Sequence, residues 1–196
     1  MPRRLLGLLR SSVRPFADSQ PMAPFRDRIE DFQRLDWHIL QNGAIALYHK
    51  RAVLDEDRTI LTALGYHVHV LDASTWQTSA ELYEDVRRTL SFPEHYGRNL
   101  AALVDCLSEL RIPHDGGLAL AIRHFDKFAH IEPALATAVL EALESTSRHH
   151  LLFGRRFLAL VQSDDATVRF APVGARPIVW NPREMSPSNR GLGTAG

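Results

Sequence analysis

Apolar residues first gather into periodic runs near residue 35. In "LDWHILQNGAIALYHK" the dipeptide Asn42-Gly43 stands between two strand-like runs and suits a two-residue type I′ turn, so residues 37–49 are predicted as a β-hairpin. "AVLDEDRTILTALG" follows with helical spacing: Val53, Leu54, Ile60, Leu61 and Leu64 lie near one face, and Gly65 marks the C-terminal stop. "YHVHVLD" reads as a strand. Ser79 is the expected cap of the next helix, with Leu82, Val86 and Leu90 inward. "GLALAIRHF", after Gly116-Gly117, and "RFLALVQ" are near-continuous apolar runs, as expected of strands covered on both faces. Between them residues 131–152 form a long helix, led by Glu132-Pro133. "ATVRFAPV" and "PIVWN" read as short strands, and the last dozen residues as loose chain.

Buried-type strands separated by helices imply an α/β fold with a parallel sheet and right-handed crossovers. The hairpin and the short C-terminal strands are expected to extend that sheet. The organisation that follows is a leader with a possible short helix over 1–34, a single domain over 35–182, and a flexible tail over 183–196.

Composition changes the picture little. The 196 residues are 45% hydrophobic and 23% charged, as in an ordinary globular domain, and the formal net charge is zero. Seven of the 23 basic residues and four of the 23 acidic ones lie in 1–34, leaving 16 basic and 19 acidic residues in 35–196. A mildly acidic body argues against direct nucleic-acid binding. The single cysteine excludes an internal disulfide framework and fits a reducing compartment, so a cytoplasmic location is expected. No apolar run reaches the roughly 18 residues that span a membrane. The arginine-rich opening is read as a tail, or as leader residues before a start at Met22, rather than as a targeting peptide, because Leu5 to Leu9 is too short for a secretory core.

The densest chemistry lies in "FPEHYGRNLAALVDCLSEL", Phe92 to Leu110. It reads as a loop feeding a helix. Gly97 suits a tight approach and Asn99 caps a helix starting at Leu100. Leu100, Leu103, Leu107 and Leu110 repeat at three and four residues as the core face. Ala101, Asp105 and Glu109 repeat at four on another face, beside His95 and Tyr96 of the loop. An acidic helix face flanked by an aromatic loop is a recognition surface on a rigid element.

These residues resemble barstar, a family of small intracellular inhibitors of a secreted bacterial ribonuclease. The resemblance is carried by Pro93-Glu94, Tyr96-Gly97, Asn99-Leu100, Ala102-Leu103 and Asp105-Cys106-Leu107, and the order of elements agrees from about residue 66 to 162. The segment after Gln162 looks like the extension of a longer bacterial branch of barstar-like proteins. The resemblance implies a small parallel sheet flanked by helices. It also implies an inhibitor whose helix and preceding loop plug a nuclease active site, with a carboxylate standing where RNA phosphate would bind. By motif position Asp105 matches the central plugging aspartate, and Tyr96, Gly97 and Asn99 match the loop. Glu141 or Glu144 takes the place of a further contributing glutamate on the last long helix. The chain departs from the family where His95 replaces a tyrosine, Arg98 an acid, Ala101 a second plugging aspartate and Val104 a tryptophan.

The partner expected on this reading is a bacterial ribonuclease of barnase type or a related toxin, bound by a monomer with no cofactor and no metal. His67 and His69 share a strand face, but no third ligand stands at a diagnostic spacing. His149-His150 suits the dipole at a helix C-terminus. Cys106 reads as a half-buried apolar residue, and Trp37, Trp76 and Trp180 as packing residues. Two other classes stay open: a barstar-like scaffold for a non-nuclease partner, and a hydrolase or nuclease using His95, Asp105 and the Asp164-Asp165 turn. The latter lacks a phosphate loop, a nucleophile elbow and a metal signature.

Overall fold

A computed structural model describes residues 23–192; the opening segment through Met22 and the last four residues lie outside the described residues. The helices are α1 (Ile29–Phe32), α2 (Leu35–Gln41), α3 (Arg51–Ala63), α4 (Ser79–Leu90), α5 (Leu100–Ser108), α6 (Phe125–Ile131) and α7 (Pro133–Leu151). The strands are β1 (Ile45–Tyr48), β2 (Tyr66–Asp72), β3 (Gly117–Arg123), β4 (Phe157–Gln162) and β5 (Val179–Trp180). All pairings are parallel, and the sheet order is β2-β3-β4-β1-β5. No described helix is long and apolar enough to cross a membrane.

The continuous apolar strands are buried on both faces, as their composition predicts, and alternate residues serve opposite layers. Ile45, Leu47, Leu118, Leu120, Ile122, Phe157 and Val161 pack with residues of α4 to α7 in one core. Ala46, Tyr48, Ala119, Ala121, Leu158 and Leu160 pack with Ile39, Leu54 and Leu61 of α2 and α3 in the other. Alanines on the second face let those helices approach closely. Ile60 was expected on the inner face of α3 but is exposed, because Leu54 and Leu61 already define the stripe.

The predicted hairpin over 37–49 does not form. Residues 35–41 are helical, and Asn42-Gly43 ends that helix: the Asn42 N–H bonds to the Ile39 carbonyl, and Gly43 has φ +110°. Asn-Gly serves both as a hairpin turn and as a helix terminator. Helical spacing of Leu35 and Ile39, with the latter buried, decides for the helix. Residues 166–173 form no strand either; that stretch contributes only an isolated bridge between Val173 and Arg176. The free edge of β1 is taken by Val179–Trp180 instead. The cap of α4 is Thr78 rather than Ser79, since only from Thr78 does Glu81 stand at the third position, where the two close a capping box.

Described residues on both sides of 35–182 pack against the domain, and α1 is the short helix expected within 1–34. Ahead of residue 35, the Phe25 and Phe32 rings pack on Trp37, and the Pro24 carbonyl accepts a hydrogen bond from Arg156. At the other end the expected loose tail is folded from Arg183 to Leu192. Glu184 is buried and accepts the backbone N–H groups of His49 and Lys50 at 3.0 and 2.7 Å, capping α3. Arg183 bridges Glu56 and the buried Asp57, which also accepts from Tyr48 and Asn181. A carboxylate on the backbone N–H groups that lead into a helix satisfies donors that have no intrahelical partner and lies at the positive end of its dipole.

A candidate partner-binding face

The loop before α5 is built from the core outward. Ser91 ends α4 in a left-handed conformation, and Phe92 turns into the core. The Tyr96 N–H bonds to the Pro93 carbonyl at 3.0 Å. The Tyr96 ring then lies buried against Phe92 and Tyr83, at centroid distances of 5.3 and 6.4 Å. Burial raises the Tyr96 pKa above the usual phenol range, and its hydroxyl has no hydrogen-bond partner among the described residues. Tyr96, expected beside the acidic face, therefore braces the loop from within. His95, Gly97 and Asn99 stay exposed.

Asn99 closes the loop onto the helix as predicted. Its Oδ1 accepts the Ala102 N–H at 2.9 Å, while its Nδ2 donates to the Gly97 carbonyl at 3.1 Å. A Cβ at Gly97 would stand 3.0 Å from that same Nδ2, so a larger residue there would press on the Asn99 cap. Leu103 and Leu107 are buried and anchor α5; Leu100 and Leu110 are half-buried. Ala101, Asp105 and Glu109 line the exposed face, one helical turn apart. Among the described residues, the Asp105 and Glu109 side chains enter no ion pair and no hydrogen bond. Two free carboxylates therefore stand on a capped, leucine-anchored helix. Cys106 lies half-buried beside them, its thiol pKa raised by burial and by the charges of Glu109 and Asp105, the opposite of what a thiolate nucleophile needs.

Helix α7 packs along α5, but its glutamates do not join the face. His150 Nε2 donates to the Leu107 carbonyl at 2.9 Å, which fixes the side of α7 turned toward α5. Glu144 and Glu141 lie six and nine residues earlier, about 120° and 180° around the helix. Glu144 is buried and accepts the Ala44 N–H at 2.8 Å. It lines a separate recess of about 240 Å³ with Leu40, Gly43, Arg148 and Arg176.

His150 is fully buried, so it is a core residue and not the exposed dipole partner its position suggested. Burial lowers its pKa, aided by the charges of His149 and Arg155, although the Leu107 bond opposes this. The unfolded chain therefore takes up the proton first as pH falls. Its contribution to stability is complete above the ordinary histidine value of about 6.5 and erodes below it. Tm is expected to fall between pH 7.5 and 5.5, and His150→Gln should remove part of that fall. Identical pH slopes in parent and variant would show that His150 contributes none of it.

The remaining candidates separate. Asp164 binds His124 at 2.8 Å, Gln162 at 3.0 Å and Lys127 at 3.5 Å at the carboxyl end of the sheet. Among the described residues, no hydrogen bond or ion pair joins it to His95 or Asp105. No group of three or more metal-ligating side chains occurs there either, and His67 and His69 lie on the edge strand β2. What sequence reasoning missed is Glu84 of α4, which reaches the loop and pairs with Arg98 at 2.9 Å. Its only sequence signal is the helical Glu84/Arg87 spacing.

Residues 66–162 match the family Barstar (barnase inhibitor). A stretch of 76 residues is 32% identical to the "Putative ribonuclease inhibitor YrdF" of Bacillus subtilis (strain 168), covering 38% of this chain and 79% of that protein. The chain belongs to the barstar family. The match to the barstar family begins at β2 and ends at β4, so it includes the loop and α5. Strands β1 and β5 and the helices α1 to α3 lie outside it. The additional strands extend the barstar-type sheet from the free edge of β4, while α2 and α3 cover its second face.

Proposed function

We propose that this protein inhibits a barnase-type bacterial ribonuclease by inserting the exposed face of α5, with Asp105 at its centre, into the enzyme's RNA-binding cleft. The observation that carries this reading is the free Asp105 carboxylate on a helix end locked by Asn99 and the two buried leucines. A cleft that holds RNA phosphate is cationic, and a rigid carboxylate competes for the same donors through charge-assisted hydrogen bonds. Membership of the barstar family and the name of the Bacillus relative support the same class of activity. With Asp105, the exposed residues His95, Gly97, Asn99, Ala101 and Glu109 make up the proposed surface, Tyr96 supports the loop from within, and the buried Glu144 takes no part in it. The protein acts as a monomer in the cytoplasm, as self-protection, and is not itself an enzyme.

The test is an RNA-cleavage assay with purified protein against a panel of barnase-type ribonucleases, barnase included. Inhibition of at least one member at near-stoichiometric ratio is expected, with no RNA cleavage by the protein alone. Absence of inhibition across the panel by a folded protein would overturn the reading in favour of a scaffold for another partner. RNA turnover that disappears with His95→Ala would overturn it in favour of a nuclease.

A further inference from the structure

We infer that the α5 face is electrostatically two-ended, and that its ribonuclease partner presents a carboxylate at the cleft rim, which Arg98 contacts, beside the cations that receive Asp105. The inference rests on the inhibitor reading and specifies which ribonuclease fits.

At one end of the face, Arg98 precedes the Asn99 cap. Its side chain is 60% exposed and its Nη2 lies 2.9 Å from Glu84 Oε2. The same carboxylate already holds Arg87, whose Nη2 lies 2.7 Å from Oε1. Two guanidinium groups therefore share the Glu84 carboxylate, and the further acid that acts on Arg87 is Glu94. Glu84 remains ionised at neutral pH, its pKa lowered to about 2 by the Arg87 hydrogen bond and the Arg98 charge. Because Glu84 is already occupied by Arg87, Arg98 can leave it for a better partner at small cost. Arg98 also adopts φ +45°, a left-handed conformation that favours glycine or asparagine.

At the other end stand Asp105 and Glu109 with no counter-ion. Arg98 stands two positions ahead of Leu100, and Asp105 lies five residues into α5, about 7.5 Å along the helix axis from its start. The helix dipole runs the same way, positive toward Asn99 and negative toward Glu109. A uniformly cationic cleft matches the second half of this face and sets like charge against the exposed Arg98 guanidinium. Acid–base cleavage of RNA, however, needs a proton acceptor beside the phosphate-binding cations, and a carboxylate is one side chain that can fill that role. A ribonuclease with such a group at its rim satisfies both ends, and one without it is rejected by like charge.

The test uses the panel member that the parent inhibits and compares Arg98→Glu, Arg98→Gly and Asp105→Ala. The glycine variant removes the charge in a backbone conformation that glycine tolerates, and thermal melts confirm that each variant folds. Arg98→Glu is expected to raise the inhibition constant at least tenfold, with Arg98→Gly in between. If Arg98→Glu inhibits as well as the parent, or better, while Asp105→Ala loses inhibition, the two-ended face is wrong and the plug stands. If no panel member is inhibited by the parent, both fall.

Discussion

Asp105→Ala is expected to weaken binding to the inhibited ribonuclease by about 2–5 kcal/mol, mainly through faster dissociation. It should leave Tm within about a degree, since exposed substitutions away from packing usually change stability by under roughly 0.5 kcal/mol. The fold does not need the carboxylate, because Asp105 is exposed and α5 is held by Leu103, Leu107 and the Asn99 cap. On the proposed inhibition the complex needs it, because removing an acid from a cationic, water-excluded cleft would leave the partner's cations buried and unpaired. A large effect of the plugging aspartate is a known property of the barstar family. Specific to this chain is that Ala101 has no carboxylate one turn away, so the burden falls on Asp105 alone or with Glu109. Ala101→Asp should therefore tighten the complex and steepen its salt dependence. Titration calorimetry decides: an Asp105→Ala variant that binds like the parent would mean that another surface does the binding.

The largest expected loss of stability lies away from this face. Asp36→Ala should destabilise the fold by about 3–5 kcal/mol, the usual cost of removing one partner from a buried charge network. Its carboxylate is fully buried and accepts from Arg34 Nε and Nη2 at 2.9 and 2.7 Å and from the Tyr66 hydroxyl at 2.8 Å. Arg156, itself 4% exposed, lies 3.6 Å away, between the rings of Phe25 and Tyr66. Without Asp36 that guanidinium keeps its hydrogen bonds to the Gly116 and Pro24 carbonyls but loses its counter-ion. For a chain of this length the change corresponds to a Tm lower by about 6–20 °C. Chemical denaturation would measure it, and a loss under about 1 kcal/mol would show that water reaches the pair. Ribonuclease inhibition by the variant, measured well below its Tm, should match the parent, since Asp36 touches neither α5 nor its loop.

Local pattern was enough to read the parallel α/β core, because a strand buried on both faces must be apolar at every position, as in Leu118–Ile122 and Phe157–Val161. It was also enough to read the α5 face. Asn99 caps within three residues of itself, and a leucine repeat defines an inner side whose complement carries Asp105 and Glu109. Periodicity within one element cannot report how a neighbouring element is rotated or which end of a side chain is free. Tyr96 turned inward because Phe92 and Tyr83 offered it an aromatic pocket. Glu144 left the face because the Ala44 N–H needed an acceptor. Arg98 met a glutamate fourteen positions earlier only once α4 and the loop had packed. Residues 35–41 became a helix rather than half a hairpin because the core under α3 had a place for Ile39. Each of these was decided by a long-range partner, and the free energy of burying or pairing a group depends on that partner's position, which no local window of sequence contains.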